Sequence, residues 1–159
     1  MAVRQFCADS HRQIPVRAYE ARQVYQVTDL RACVLSLYFD RYLYTGGAHG
    51  STVRTSQTWN LHGCRLLCLG RLAEGLPHDP SYLLGQIEAQ IQADPQPYFD
   101  NYSELIGKTF HPDSFYSTPE GIVLYYQQYD IAPYASGIRE FLIPYGGPIT
   151  NPEALCGLA

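Results

Sequence analysis

Alternating hydrophobic and polar positions recur along the chain and predict mainly β-strands. Arg31–Tyr44 is the clearest case, because its apolar side chains share one side and its polar or hydroxyl-bearing ones share the other. The apolar set is Cys33, Leu35, Leu37, Phe39 and Leu43. Successive strand side chains point to opposite faces, so this stretch predicts a long strand with one buried face. Val16–Asp29, Ser51–Asn60 and Arg65–Leu69 predict neighbouring strands of an antiparallel meander.

A second group of strands is predicted near the carboxyl end. Phe115–Tyr116 is expected to pair with Ile122–Tyr126 through a tight turn, because Pro119 presets a turn dihedral and Gly121 tolerates a left-handed one. Ile122–Tyr126 is apolar or aromatic on both alternating sets, which is typical of a strand covered on two faces. Ile138–Ile143 alternates again and predicts a third strand.

Helices are predicted between the two strand groups. Asp79 and Pro80 form a helix start, and the apolar residues that follow recur on one face; they are Leu83, Leu84, Ile87 and Ile91. Asp94-Pro95 predicts its end, and Asn101–Ile106 predicts a shorter helix with Gly107 as its cap. We expect the helices to pack on the one-sided sheet, which gives an α+β fold with an antiparallel β-sheet, helices on one face and two layers.

Composition limits the class of protein. The chain has 159 residues, 46 % of them hydrophobic and 16 % charged, which favours one folded domain over a disordered chain. We assign residues 1–15 to an N-terminal arm or short edge element, 16–145 to a single domain and 146–159 to a C-terminal tail. The net charge of −4 argues against a nucleic-acid partner, which would need clustered Lys and Arg.

Neither cysteines nor apolar runs predict export. The five cysteines are an odd number at scattered spacings, unlike a secreted disulfide framework, and Cys33 and Cys68 are expected to be buried small hydrophobic residues. No apolar run in the sequence is as long as a signal-peptide core or a membrane span. His62, Cys64 and Cys68 do not have the spacing of a zinc site, so no metal or other cofactor is expected.

Two loops carry the candidate functional residues. Tyr129-Asp-Ile-Ala-Pro-Tyr-Ala-Ser-Gly137 contains Pro133, which stiffens the backbone beside Tyr134, and ends at Gly137, which can adopt a positive φ. Tyr44-Thr-Gly-Gly-Ala-His-Gly50 is the second loop. If strand ends gather at one edge, the loops bring together a candidate binding set of Pro133, Tyr134, Tyr129, Asp130, His49, Gly46 and Gly47.

These two motifs, with the Phe-Tyr hairpin and a closing Ile143-Pro-Tyr145, resemble the bacterial DUF3298 family, whose domain is often preceded by a DUF4163 region. The resemblance covers roughly residues 31–145. It implies the extracytoplasmic, lysozyme-binding part of an anti-sigma factor, or a domain that precedes a cell-wall deacetylase. It therefore implies a non-catalytic binding or sensor domain of the bacterial envelope, with lysozyme or cell-wall glycan as partner and Pro133 and Tyr134 in the contact surface. The sigma-factor-binding segment and membrane helix of that receptor are not expected in this chain.

The residues themselves leave alternatives open. Tyr134 and Pro133 also suit a purely structural turn, and His49 also suits a residue that pins its loop through a carbonyl. A small hydrolase acting on envelope carbohydrate or peptide would use His49 with a carboxylate such as Asp40 or Asp130. No nucleophile elbow or metalloprotease motif supports an enzyme. A third alternative is a structural domain whose sheet edge pairs with itself or with another chain.

Overall fold

Two antiparallel sheets and four helices make up the described part of the chain, which comprises residues 2–12, 19–76, 78–93 and 97–157 of a computed structural model. The helices are α1 (Ala2–His11), α2 (Leu69–Leu72), α3 (Ser81–Ala93) and α4 (Tyr102–Lys108). The strands are β1 (Glu20–Arg31), β2 (Val34–Tyr44), β3 (Ser51–Asn60), β4 (Arg65–Leu66), β5 (Phe115–Ser117), β6 (Gly121–Tyr126) and β7 (Arg139–Pro144). Short 3₁₀ turns follow at Tyr134–Ser136 and Pro152–Leu155.

The first sheet has the strand order β1-β2-β3-β4 and confirms the predicted meander. Its inner face, which contacts the second sheet, carries the polar side of β2, including Ser36, Tyr38 and Asp40. The apolar side of β2 lies on the outer face, where Leu35, Leu37 and Phe39 stay partly exposed. The prediction that the helices cover this apolar side is therefore wrong.

The second sheet, β5-β6-β7, confirms the predicted hairpin, since Phe115 lies opposite Leu124 and Ser117 opposite Ile122. Every residue of β6 is buried, as predicted for a strand covered on two faces. Ile122 and Leu124 face the helices, whereas Val123 packs toward Tyr38 of the first sheet. The second sheet is thus the middle layer of the molecule.

The main hydrophobic core lies between the second sheet and helices α2, α3 and α4. Its fully buried side chains include Leu69, Leu72, Leu83, Ile87, Ile122, Ile131 and Ile143. The Asp79 carboxylate accepts hydrogen bonds from the N–H and hydroxyl of Ser81, which confirms the predicted start of α3. Burying these side chains contributes roughly 1.5–3 kcal/mol each relative to exposure.

Some predicted element bounds require correction. Gly107 lies inside α4, which continues to Lys108 and is capped by Thr109, because the Thr109 N–H still reaches the Leu105 carbonyl. The N-terminal stretch, expected as an arm or edge element, contains the helix α1. The predicted end of α3 at Asp94-Pro95 and the first residues of the predicted strand Val16–Asp29 lie outside the described residues.

The cysteine interpretation is wrong on two points, although Cys33 is buried as predicted. Cys33 forms a disulfide with Cys156, with a Cα–Cα distance of 5.5 Å and 123 positions between them in sequence. Cys68, predicted to be buried, is exposed, as are Cys7 and Cys64. The disulfide joins the start of β2 to the last described turn, so spacing along the chain gave no indication of it.

A polar layer joins the two sheets. The free edge of β5 lies over the first sheet, where the hydroxyls of Thr28 and Ser56 donate to the carbonyls of Ser117 and Phe115. The hydroxyl of Ser36 accepts from the Ser117 N–H. Side-chain hydroxyls thus satisfy backbone groups that another strand would otherwise pair.

An ion cluster lies in the same layer. The buried Arg54 guanidinium donates to Asp40 and to Glu140 of β7 and stacks over the Tyr38 ring at 3.7 Å. Burial lowers the pKa of Arg54, but the bond to Asp40 and the charge of Glu140 outweigh this and raise it overall. Arg54 therefore stays charged and ties β2, β3 and β7 together.

The architecture is an α+β fold of antiparallel strands, as predicted, although the strands form two sheets instead of one. None of the helices in the described ranges is both long and apolar enough to cross a membrane.

Candidate functional site: an aromatic cluster at the edge of the sheets

The 127–137 loop has a backbone fixed by local hydrogen bonds. The Asp130 carboxylate accepts from the Gln127 N–H, and the Asp130 N–H donates to the Gln127 carbonyl. Burial raises the pKa of Asp130, and the Gln127 N–H offsets part of that shift. Tyr129 between them has a φ of 69°, a left-handed value that is unusual for a non-glycine residue. Gly137 closes the loop with a φ of 67°, as predicted.

The 45–50 loop connects β2 to β3. Gly46 has a positive φ of 87°, and the Tyr44 hydroxyl donates to the Gly47 carbonyl at 2.9 Å. Gly50 packs so closely against the Tyr42 ring that an added Cβ would overlap it. The glycines therefore shape this turn, which places His49 at its exposed tip.

Two glutamine side chains attach the 127–137 loop to the free edge of β3. The Gln127 amide accepts from the Arg54 N–H at 2.9 Å and donates to the Arg54 carbonyl at 2.8 Å, as a strand residue would. The Gln128 amide oxygen accepts from the Thr52 N–H at 2.8 Å. Because 76 positions separate Thr52 from Gln128, these bonds bring two distant loops together. Neither glutamine stands out in the sequence, since polar residues after a strand are ordinary loop residues.

His49, Tyr129 and Tyr134 form what we call the aromatic cluster. The His49 and Tyr134 rings stack with centroids 3.9 Å apart, and Tyr129 lies 5.7 Å from Tyr134. The Tyr129 hydroxyl lies 3.3 Å from His49 Nε2, while His49 Nδ1 lies 2.9 Å from the Gly50 carbonyl. A neutral imidazole with its proton on Nδ1 satisfies both contacts, because Nδ1 then donates and Nε2 accepts.

The other candidate residues support this cluster. Pro133, with φ −59° and ψ 157°, immediately precedes the 3₁₀ turn that begins at Tyr134. Asp130 turns its carboxylate back to the loop backbone. Gly46 and Gly47 shape the opposite loop. The structure thus brings His49, Tyr129 and Tyr134 into contact, whereas Pro133, Asp130 and the two glycines position their backbones.

His49 is not hydrogen-bonded to Asp40 or Asp130, the carboxylates considered as its acid–base partners. Its hydrogen bonds in the described chain go to Tyr129 and the Gly50 carbonyl. Asp40 pairs instead with Arg54, and Asp130 binds the Gln127 N–H. The described ranges also contain no group of three His, Cys, Asp or Glu side chains placed to hold a metal ion.

A cleft of about 670 Å³ runs along the free edge of β3. Ser56, Phe115, Tyr125, Gln127 and Asp130 are among its lining residues. His111 and Asp113 are also part of its lining, with His111 Nδ1 4.0 Å from the Asp113 carboxylate; both side chains are largely exposed. Nδ1 also accepts the Asp113 N–H, which makes this a local turn contact.

Comparison with known proteins identifies two family matches along the chain. Residues 80–146 match the family described as "Protein of unknown function (DUF3298)", and residues 2–52 match the family described as "Deacetylase PdaC". No curated protein matches.

Solved structures are similar over most of the chain. A DUF3298 family member from Bacteroides fragilis is 26 % identical with a TM-score of 0.64, and the match covers 91 % of this chain and 62 % of that one. A DUF3298 family protein from Pseudomonas aeruginosa is 22 % identical with a TM-score of 0.66, covering 92 % of this chain and 70 % of that one; it shows the shared fold. This chain therefore spans less than two thirds of the Bacteroides protein. The part of the chain that matches the DUF3298 family is residues 80–146, and it holds α3 and α4, the second sheet and two of the three cluster residues.

Proposed function

We propose that this chain is a non-catalytic binding module that contacts its partner through the aromatic cluster. The observation that carries the proposal is the stacking of His49 on Tyr134, with Tyr129 bonded to the imidazole, across two loops distant in sequence. Tyrosine is enriched in the energetically dominant parts of protein interfaces, because a rigid ring buries much area for little lost entropy.

The loop backbones support a role in binding because they are already ordered. Gln127 and Gln128 hold the loop to β3, and Pro133 limits the backbone beside Tyr134. A surface that is held in its bound shape loses less conformational entropy on association. The left-handed backbone of Tyr129 adds to this argument, since strained conformations concentrate at functional sites.

We propose an extracytoplasmic location and a sensor-type role in the cell envelope. The Cys33–Cys156 disulfide supports this location, because disulfides persist mainly in oxidising compartments. The first candidate partner is lysozyme, as in the anti-sigma factor that the chain resembles, and the net charge of −4 favours the approach of a basic protein. Cell-wall glycan is the second candidate, since exposed aromatic rings with a few polar groups also suit small ligands.

The proposal gives His49 no catalytic role. The Tyr129 hydroxyl occupies Nε2, the nitrogen that a general base would use, and the Tyr134 ring stacks on the imidazole. The match of residues 2–52 to a deacetylase family ends just after His49. We propose that this part of the chain also serves recognition, with β2 and the 45–50 loop presenting His49.

Calorimetric titration with an animal C-type lysozyme tests the proposal. We expect saturable binding by the parent chain and a loss of at least tenfold in affinity for Tyr134→Ala, because the variant removes the ring that stacks on His49. Tyr82→Ala is the matched control, since Tyr82 is an exposed tyrosine on α3 and outside the cluster.

A parallel titration with soluble cell-wall glycan fragments distinguishes the two partner classes. Binding of fragments alone, again lost in Tyr134→Ala, would replace lysozyme by glycan and keep the site. Equal affinity of the parent, Tyr134→Ala and Tyr82→Ala for either ligand would remove the aromatic cluster from the interface. Release of a hydrolysed product during either titration would contradict the non-catalytic assignment.

A further inference from the structure

Strand β1 is an open sheet edge. It lies at the end of the first sheet, spans 12 residues and pairs with β2 on one side. No strand of the described ranges pairs with its other side, and all residues from Glu20 to Val27 are exposed. Many natural edge strands are short or carry lysine or proline, whereas β1 is long, contains neither residue, and has its one bulge near its end, at Thr28.

The hydrogen bonds of the first sheet fix which β1 groups face outward. The N–H and carbonyl of Arg54 bind Gln127, so they point away from β2, and Arg54 and its partner Asp40 are a non-hydrogen-bonded pair. Asp40 must then bond to Val24 on its other side. By the same alternation, the backbone groups of Ala21, Gln23, Tyr25 and Val27 point to the open edge. The Gln26 side chain, which donates to the Val27 carbonyl, occupies one of these groups.

We propose that β1 pairs antiparallel with β1 of a second copy of this chain, with Tyr25 on the two-fold axis. Tyr25 then lies opposite Tyr25 of the second copy and exchanges both backbone hydrogen bonds with it. Gln23 lies opposite Val27 of the second copy. The two first sheets become one eight-stranded sheet, because each contributes four strands.

Side-chain complementarity supports a second copy as the occupant. β1 has a bulge at Thr28, where its register with β2 shifts. If the same bulge is kept across the two-fold axis, Ala21 lies opposite Leu30 on the outer face, and Glu20 lies opposite Arg31 on the inner face. Apolar side chains are thus paired across the edge, which stabilises a strand pair. Glu20 adds a carboxylate beside an Arg31 that also binds Asp29 and Glu153 of its own chain.

The outer face of the sheet gives a further reason for this pairing. Tyr25 is 68 % exposed and Leu30 67 % exposed on that face. In the proposed dimer the Tyr25 rings of the two copies lie side by side, and each Leu30 packs against Ala21 of the other copy. The edge pairing therefore covers apolar side chains that the single chain leaves in water.

Disulfide trapping tests the register. In a chain carrying Cys7→Ser, Cys64→Ser and Cys68→Ser, which retains the Cys33–Cys156 disulfide, we expect Tyr25→Cys to form a covalent dimer under mild oxidation. Residues of a hydrogen-bonded pair have Cα atoms about 5.5 Å apart, within disulfide range. Val27→Cys is the matched control, because its copies would lie roughly 13 Å apart along the strands.

Light scattering with size-exclusion chromatography tests the pairing itself. We expect the parent to have twice the chain mass of 17.9 kDa, and Gln23→Pro to have the monomer mass. The proline removes an N–H that only the dimer uses, and circular dichroism checks that the variant folds. A monomeric parent at its highest soluble concentration, a dimer that persists in Gln23→Pro, or equal trapping of both cysteine variants would overturn the proposal. The test involves no lysozyme or glycan, so its outcome is independent of the proposed function.

Discussion

At the scale of single residues, Tyr129 combines exposure, a left-handed backbone and a hydrogen bond to His49. A non-glycine residue in that conformation costs about 1–2 kcal/mol, and stability alone gives no reason to keep it. A substitution at Tyr129 can therefore separate a loss of binding affinity from a loss of stability.

Replacing Tyr129 by glycine is expected to separate these demands. Relief of the backbone strain and the greater freedom of glycine in the unfolded chain nearly cancel, so the free energy of unfolding should change by no more than about 1 kcal/mol. Affinity for lysozyme should fall at least tenfold. Urea unfolding and calorimetry measure the two quantities, and a variant that binds as tightly as the parent would show that Tyr129 is outside the interface.

Gly121 is a residue whose role is steric. A Cβ there would overlap the Ile143 carbonyl and lie 2.9 Å from the Pro144 Cα, so β7 would have to move. We expect Gly121→Ala to lower the free energy of unfolding by about 1–3 kcal/mol. Gly85→Ala is the control, because Gly85 is an exposed position of α3 with open space around it, where alanine should stabilise by roughly 1 kcal/mol. Similar effects at both sites would contradict this explanation.

Asp130 gives a pH-dependent prediction. Burial raises its pKa, so its contribution to stability is largest below its unfolded pKa and declines as pH rises through the folded one. Asp130→Asn keeps an oxygen for the Gln127 N–H and cannot ionise. We expect the free energy of unfolding of the variant minus that of the parent to be larger at about pH 7 than at about pH 3.5. Urea unfolding at both values checks this, and an unchanged difference would refute it.

At the scale of elements, local chemistry predicted much of the structure. Asp79 marks the start of α3, the hairpin of β5 and β6 has the expected partners, and Gly137 has the expected φ. These features depend on neighbouring residues, so a single sequence contains them. The Cys33–Cys156 disulfide depends on a contact across 123 positions, and no local pattern indicates it.

The disulfide should be a major source of stability. It closes a loop of 123 positions, and loops of that size stabilise by about 4–5 kcal/mol in the chain-entropy treatment. We expect the double substitution of Cys33→Ser and Cys156→Ser to lower the free energy of unfolding by about 2–5 kcal/mol. Cys68→Ser, at an exposed free cysteine, should leave it unchanged. Equal unfolding of the parent with and without reductant would contradict the prediction.

At the scale of the whole molecule, the sequence predicted that the faces of β2 differ but assigned the wrong neighbour to each. Alternation in the sequence shows that the two faces of β2 differ, but it does not show what covers each face. The hydroxyls of Thr28, Ser36 and Ser56 face the second sheet because they form hydrogen bonds with backbone groups at the edge of β5. The apolar side of β2 therefore faces outward. It lies on the sheet that we propose to be extended by pairing of β1 with β1 of a second copy.

The candidate site, like the fold, could be predicted only in part from the sequence. The sequence identified both loops, with Pro133 and Tyr134 among the candidate residues, but brought the loops together only on the condition that strand ends gather at one edge. The direct stacking of His49 on Tyr134 and the attachment of the loop by Gln127 and Gln128 depend on how β3 and β6 approach in space. A single sequence does not contain that approach.

Hydrogen–deuterium exchange of the chain with and without saturating lysozyme tests the central claim most directly. The account predicts slower exchange on binding in the 45–50 and 127–137 loops, which carry the aromatic cluster, and unchanged exchange in α3. Slower exchange confined to other segments would place the interface elsewhere. Unchanged exchange in both loops would contradict the assignment of this cluster as the lysozyme-binding surface.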